Sequence, residues 1–118
     1  MKILIIDDDD FVRQSLSELL KSWRFEIAEA ANSKEAFQQI KNNDFSGMLL
    51  DIRLGESNGL DILKTMRKKN INIPVIVMTG YAGEYDKDQF FDLDAVAFLT
   101  KPIQPATLKE TLKVYVNT

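Results

Sequence analysis

The sequence predicts a three-layer doubly wound α/β fold, on three observations. Short apolar runs alternate with amphipathic stretches five times. The runs are of strand length, with β-branched content highest in the first and fourth, as buried parallel strands require. The residues able to do chemistry gather directly after the runs, where ligand sites of open parallel sheets lie. Repeated strand-helix units imply right-handed crossovers and a sheet covered on both faces.

The first run, Ile3 to Ile6, ends at Asp7. Beyond it Val12, Leu16, Leu19, Leu20 and Trp23 recur at intervals of 4, 3, 1 and 3, one stripe of a helix. Glu26 to Ala30 is a weak second strand. The next helix carries Ala36, Phe37 and Ile40, with Asn32 and Glu35 at capping-box spacing before it. Met48 to Leu50 is the third strand, and Leu60, Leu63 and Met66 form the helical stripe after Asn58 and Gly59. The fourth strand is Ile73 to Met78. The fourth helix, Glu84 to Asp92, is polar except for Phe90 and Phe91, which makes it the weakest of the five. Ala95 to Leu99 is the last strand. The last helix opens at Pro105, a favoured first-turn residue, and carries Leu108, Leu112, Tyr115 and Val116. Trp23, Phe37, Phe45 and Tyr115 read as packing residues.

Composition narrows the chemistry. At 118 residues the chain is read as one domain, 1–118, large enough to bury a core without a metal or disulfide. There is no cysteine and no histidine, which excludes disulfide frameworks, thiolate or ordinary zinc sites, Cys nucleophiles and a Ser-His-Asp triad. Fifteen basic against 18 acidic residues give a net charge of −3, and the basic residues are scattered. Direct nucleic-acid binding and a polybasic membrane contact are therefore not expected. No apolar run approaches a membrane span, and Asp7 comes too soon for a signal-peptide core; the expectation is a cytoplasmic protein with no membrane association.

The strand ends supply Asp7 to Asp10, Asp51, Thr79 and the Lys101-Pro102 pair, while Glu29 adds little. Three carboxylates from two strand ends, Asp7, Asp8 and Asp51, repel one another unless a cation sits among them. An all-oxygen donor set suits Mg²⁺. A lysine and a threonine opposite complete a phosphate-binding set, the elements of in-line phosphoryl transfer. The plain reading of Asp9 or Asp10 is a cap on the first helix.

These residues resemble the response regulator receiver domain of two-component signalling, the CheY-like fold. The resemblance runs end to end: Ile5-Ile6-Asp7-Asp8, Asp51-Ile52-Arg53-Leu54 with Gly59 eight residues after Asp51, Met78-Thr79-Gly80, and Phe98-Leu99-Thr100-Lys101-Pro102. Four motifs in order form a strong signal where each alone is weak. The resemblance implies a flavodoxin-like parallel sheet of order 2-1-3-4-5 with Asp51 as phosphoacceptor. Asp8 would bind Mg²⁺ directly, Asp7 mostly through water, and Asp51 and the Arg53 carbonyl would complete its ligands. Thr79 and Lys101 would contact the phosphoryl group, and Thr79 with Phe98 would form the switch. Gly59 and Pro102 would be structural, with a cis bond before Pro102. Arg53 and Tyr81, bordering the path of hydrolytic water, would lengthen the phosphoryl lifetime. The implied partners are a sensor histidine kinase or phosphotransfer protein and an output domain or downstream protein on the face of the fourth helix, fifth strand and fifth helix. A phosphorylation-dependent homodimer is a further expectation. On this reading the chain is not an enzyme beyond catalysing its own phosphorylation and dephosphorylation.

The chain departs from the pattern at Gly55, where the family usually has proline, and at Phe91 to Val96, which lacks the usual Gly-Ala before the last strand. The set Met78-Thr79-Gly80-Tyr81 has a flavour of receivers in NtrC-type transcription regulators. Two other readings compete. A phosphatase of the haloacid dehalogenase type would use Asp8 and Asp10 in Asp8-Asp9-Asp10-Phe11-Val12, but a later acidic pair and a cap insertion are missing. A receiver that binds a partner without being phosphorylated is opposed by the intact acidic set.

Overall fold

The computed structural model describes residues 1–55, 57–80 and 85–116. Its main sheet has five parallel strands in the order β2-β1-β3-β6-β7: Lys2–Ile6 (β1), Glu26–Ala30 (β2), Gly47–Asp51 (β3), Val75–Thr79 (β6) and Ala95–Thr100 (β7). This is the expected topology. The two extra numbers come from a short antiparallel ribbon, Arg53–Leu54 (β4) and Ser57–Asn58 (β5), too brief for periodicity to reveal. Helices connect the strands: Asp10–Ser22 (α1), Ser33–Asn42 (α2), Gly59–Lys68 (α3), Lys87–Phe91 (α4) and Pro105–Tyr115 (α5).

Alternation along the strands builds the layers. In β1, Leu4 and Ile6 face one side, and Ile3 and Ile5 the other, all fully buried. The first side packs against Ala36 of α2, Ile62, Leu63 and Met66 of α3 and Phe90 of α4. The second packs against Leu16 and Leu20 of α1 and Leu108 and Leu112 of α5. Each such Leu or Ile contributes roughly 1.5–3 kcal/mol of burial free energy. Both faces are covered, so the strands read as unbroken apolar runs.

Caps set the helix starts. Asp9 accepts hydrogen bonds from the Phe11 and Val12 amides and caps α1, the plain role expected of Asp9 or Asp10. Asn32 accepts from the Glu35 amide at 2.9 Å, and the Glu35 carboxylate reaches back to the Ala31 amide, one residue before the cap. The fourth helix is shorter than expected: it begins at Lys87, where Asp86 caps it through the Asp88 amide. Tyr115 corrects the packing assignment, because Leu108, Leu112 and Val116 form the buried line four residues apart and Tyr115 falls off it, 42% exposed.

Arg67 near the end of α3 ties three segments together. Its guanidinium donates to the carbonyls of Leu93, Ile71, Ile73 and Asp94, joining α3 to the strand entry of β6 and to the turn after α4. Only a planar fork of five donors serves so many acceptors at once.

Candidate functional site

The carboxyl ends of β1, β3, β6 and β7 converge on one acidic recess. Asp7 follows β1 directly and is fully buried; Asp51, the last residue of β3, is 6% exposed, and Thr79, the last of β6, is 4% exposed. Parallel register puts Asp51 beside Met78, one residue before Thr79. Asp8 is exposed at the rim. One carboxylate oxygen from each of Asp7, Asp8 and Asp51 can be chosen so that all three lie within 4.8 Å of one another. These all-oxygen donors match the preference of a hard divalent ion such as Mg²⁺, and their mutual repulsion gives a cation something to relieve.

Lys101 enters from the end of β7. Its Nζ donates to Asp7 Oδ2 at 2.8 Å and to Asp51 Oδ2 at 3.1 Å, while its amide donates to the Thr79 carbonyl at 2.7 Å. The Lys101-Pro102 bond is cis, as the resemblance implied. The Asp51 carboxyl is pushed up from 3.8 to about 6, first by burial and then by the Asp7 charge; Lys101 and a hydrogen bond from the Arg53 backbone pull the other way. Burial alone would lower the Lys101 ammonium, but its hydrogen bonds and charge pairing with Asp7 and Asp51 outweigh that and raise it.

The loop under Asp7 is held by contacts that periodicity could not foresee. Asp7 Oδ1 accepts from the Asp9 amide at 3.0 Å, and Arg13 donates to the Asp7 carbonyl at 2.6 Å while pairing with Asp10 and, at 3.3 Å, with Glu29. Glu29, set aside on sequence, thus helps hold Arg13. The spacing of Asp10 and Arg13 was the available signal. Asp10 is turned to Arg13 and solvent, outside the three-carboxylate cluster, so the phosphatase reading built on Asp8 and Asp10 is not favoured.

Gly55 and Gly59 shape the loop beyond Asp51. Gly55 has φ +63°, in the left-handed region that proline cannot enter, which accounts for glycine where the family usually has proline. A Cβ there would lie 3.8 Å from Asp8 Oδ2, so this turn borders the acidic cluster. Gly59 donates its amide to the Ile52 carbonyl at 2.7 Å and starts α3 under the Asn58 cap.

A recess of about 130 Å³ lies over these groups, lined by Asp51, Ile52, Arg53, Thr79, Gly80, Tyr85 and Lys101. A second groove of about 630 Å³ passes Asp8, Gly55, Asn58, Gln89 and Phe90 and shares Ile52, Arg53 and Tyr85 with the first. Arg53 Nε donates to the Tyr85 hydroxyl at 2.7 Å, a contact not foreseen from the sequence. Tyr81 lies outside the described residues. Phe98 of β7 is half-buried and sits against α4, with its ring edge-on to Phe90 at 5.3 Å, tilted to Phe91 at 5.2 Å, and 5.6 Å from Lys87 Nζ.

Comparison with known proteins agrees with this geometry. The family model described as response regulator receiver domain matches residues 3–113. The transcriptional regulatory protein ZraR of Escherichia coli is 32% identical over 111 residues, 94% of this chain but 25% of the relative. The transcriptional regulatory protein SrrA of Staphylococcus aureus is 33% identical over 104 residues, 88% of this chain and 43% of the relative. The chain thus spans less than half the length of these curated relatives. Among solved structures, a CheY-like receiver domain from Methanospirillum hungatei is 30% identical with a TM-score of 0.90, covering 98% of this chain and 93% of that one. The chemotaxis protein CheY4 of Vibrio cholerae is 26% identical with a TM-score of 0.89, covering 97% of each chain.

Proposed function

Since the chain belongs to the response regulator receiver domain family, we propose that Asp51 is the residue that accepts the phosphoryl group and that a sensor histidine kinase or phosphotransfer protein donates it. The observation that carries this reading is the position of Lys101 Nζ, within hydrogen-bond distance of both buried carboxylates at the strand ends. An Asp51 oxygen attacks phosphorus, the bond from phosphorus to the donor histidine breaks, and the electron pair stays on the imidazole nitrogen. Lys101 neutralises charge on the phosphoryl oxygens, and the Thr79 hydroxyl, lining the same recess, donates to another. Asp7, Asp8, Asp51 and the Arg53 carbonyl would hold Mg²⁺. When bound, the ion supplies positive charge against the developing negative charge of phosphoryl transfer. The chain's own chemistry is confined to gaining and losing this group.

Phosphorylation draws Thr79 inward and turns Phe98. Because Phe98 is packed on Phe90 and Phe91, its turning obliges α4 to rearrange. Phe91, Val114 and Tyr115 are exposed on α4 and α5, and they offer apolar surface to an output domain, a downstream protein or a second copy docking on the α4-β7-α5 face. We read the output as transcriptional, after the nature of ZraR and SrrA, and the setting as cytoplasmic; among the described residues no helix is long and apolar enough to cross a membrane.

Intact-mass measurement after incubation with acetyl phosphate and Mg²⁺ tests the assignment. One phosphoryl group is expected on the wild type and none on Asp51→Asn; an unchanged gain in the variant would refute it. The ion site is tested by thermal melting without phosphate. Mg²⁺ at tenfold to hundredfold excess over its Kd should stabilise the wild type by about 1.4–2.7 kcal/mol. EDTA should reverse this and Asp8→Ala should lose most of it, whereas the same gain in Asp8→Ala would move the ion elsewhere.

A further inference from the structure

The contact between Arg53 and Tyr85 lies where the two recesses meet. Arg53 is exposed on β4, two residues after Asp51, and a long guanidinium chain at such a position ordinarily samples many rotamers. Here its Nε is engaged by the hydroxyl of Tyr85, 32 residues away on the segment entering α4. The tyrosine is itself anchored: it is half-buried and packs against the core between the sheet and α3. Arg53 and Tyr85 both line the small recess that holds Asp51 and Lys101, and both line the larger groove past Asp8 and Phe90. With Ile52 they are the residues that border both recesses.

We propose that Tyr85 is a positioning residue for the reaction at Asp51, holding the Arg53 side chain as a wall that keeps water in the larger groove from the phosphoryl group. The inference rests on Asp51 being the phosphoacceptor. Hydrolysis forms a bond from water oxygen to phosphorus and breaks the bond from phosphorus to Asp51, giving inorganic phosphate and the free carboxylate, with the water's protons passing to phosphate and solvent. Tyr85 touches none of these atoms. It acts through Arg53, so its effect must vanish when Arg53 is absent.

That requirement gives the test. The wild type, Tyr85→Phe, Arg53→Ala and the double variant are phosphorylated with acetyl phosphate and freed of the donor, and acyl-phosphate decay is followed by intact mass. Tyr85→Phe retains the packed ring and removes only the hydroxyl, so faster decay reports the hydrogen bond. Loss of one hydrogen bond to a charged, exposed side chain is expected to speed decay about threefold to tenfold. Arg53→Ala should speed it at least as much, and the double variant should decay no faster than Arg53→Ala. Unchanged decay in Tyr85→Phe, or rate increases that multiply in the double variant, would overturn the proposal. Failure of the wild type to take up a phosphoryl group would overturn the Asp51 assignment and this inference with it, whereas normal uptake with unaltered decay would overturn this inference alone.

Discussion

Gly59→Ala is expected to destabilise the domain by about 2–4 kcal/mol, lowering Tm on the order of 10 °C. A Cβ on Gly59 would stand 2.4 Å from the carbonyl oxygen of Asp51 and 3.2 Å from both the Asp51 carbonyl carbon and the Ile52 Cα. All three are backbone atoms, so no side chain can swing aside to make room. The Gly59 amide also donates to the Ile52 carbonyl at 2.7 Å, which pins the first turn of α3 against the strand end carrying Asp51. Alanine must therefore push α3 outward or displace Asp51, and either movement disturbs the recess. The better helix propensity of alanine, up to about 1 kcal/mol, offsets only part of the cost. Thermal or urea unfolding checks this, and a wild-type Tm in the variant would show that the approach is not as close as described.

The second large effect concerns Lys101 and depends on pH. Lys101→Met removes the cation between two buried carboxylates, and breaking a buried pair from one side costs about 3–5 kcal/mol when the remaining charge is left uncompensated. Asp51 already titrates at about 6 in the fold against 3.8 as its ordinary value. A group raised on folding contributes stability that is fully present below its unfolded pKa and lost as pH rises through its folded one. In the wild type that loss runs from about pH 4 to a little above pH 6. Without Lys101, which holds the Asp51 pKa down, the loss continues to higher pH. Lys101→Met should accordingly be weaker than wild type at pH 5, where its bond to buried Asp7 is already lost, and weaker still at pH 8, and Asp51→Asn in the same background should recover much of the difference between the two pH values. Urea unfolding at the two pH values decides the matter. A deficit of equal size at both would mean that Lys101 stabilises through Asp7 or by packing and not through Asp51.

These expectations differ in how far they could be reached without coordinates. The acidic residues Asp7, Asp8 and Asp51 were legible because each sits at the end of an apolar run, and parallel strands bring their carboxyl ends to one edge. Lys101 was legible for the same reason. Boundaries were less so: Asp51 and Thr79 lie inside the ends of their strands, since strand pairing continues wherever backbone partners exist and does not stop at the first polar side chain. The β4-β5 ribbon fell below the length at which periodicity can be read, and α4, expected over Glu84 to Asp92, is present but begins only at Lys87.

By itself the sequence determined the fold class and the candidate groups at the strand ends, because these follow from local alternation of apolar and polar residues, while the strand order was implied by the family resemblance alone. Only the tertiary structure decided which of those groups touch. Lys101 bridges Asp7 and Asp51 across separations of 94 and 50 residues; Arg13 turns from Asp10 to the Asp7 carbonyl; and Tyr85 takes hold of Arg53 from 32 residues away. Such contacts depend on where whole elements pack. A side chain's partners are set by the three-dimensional neighbourhood, and period-2 or period-3.6 patterns carry only which face it is on.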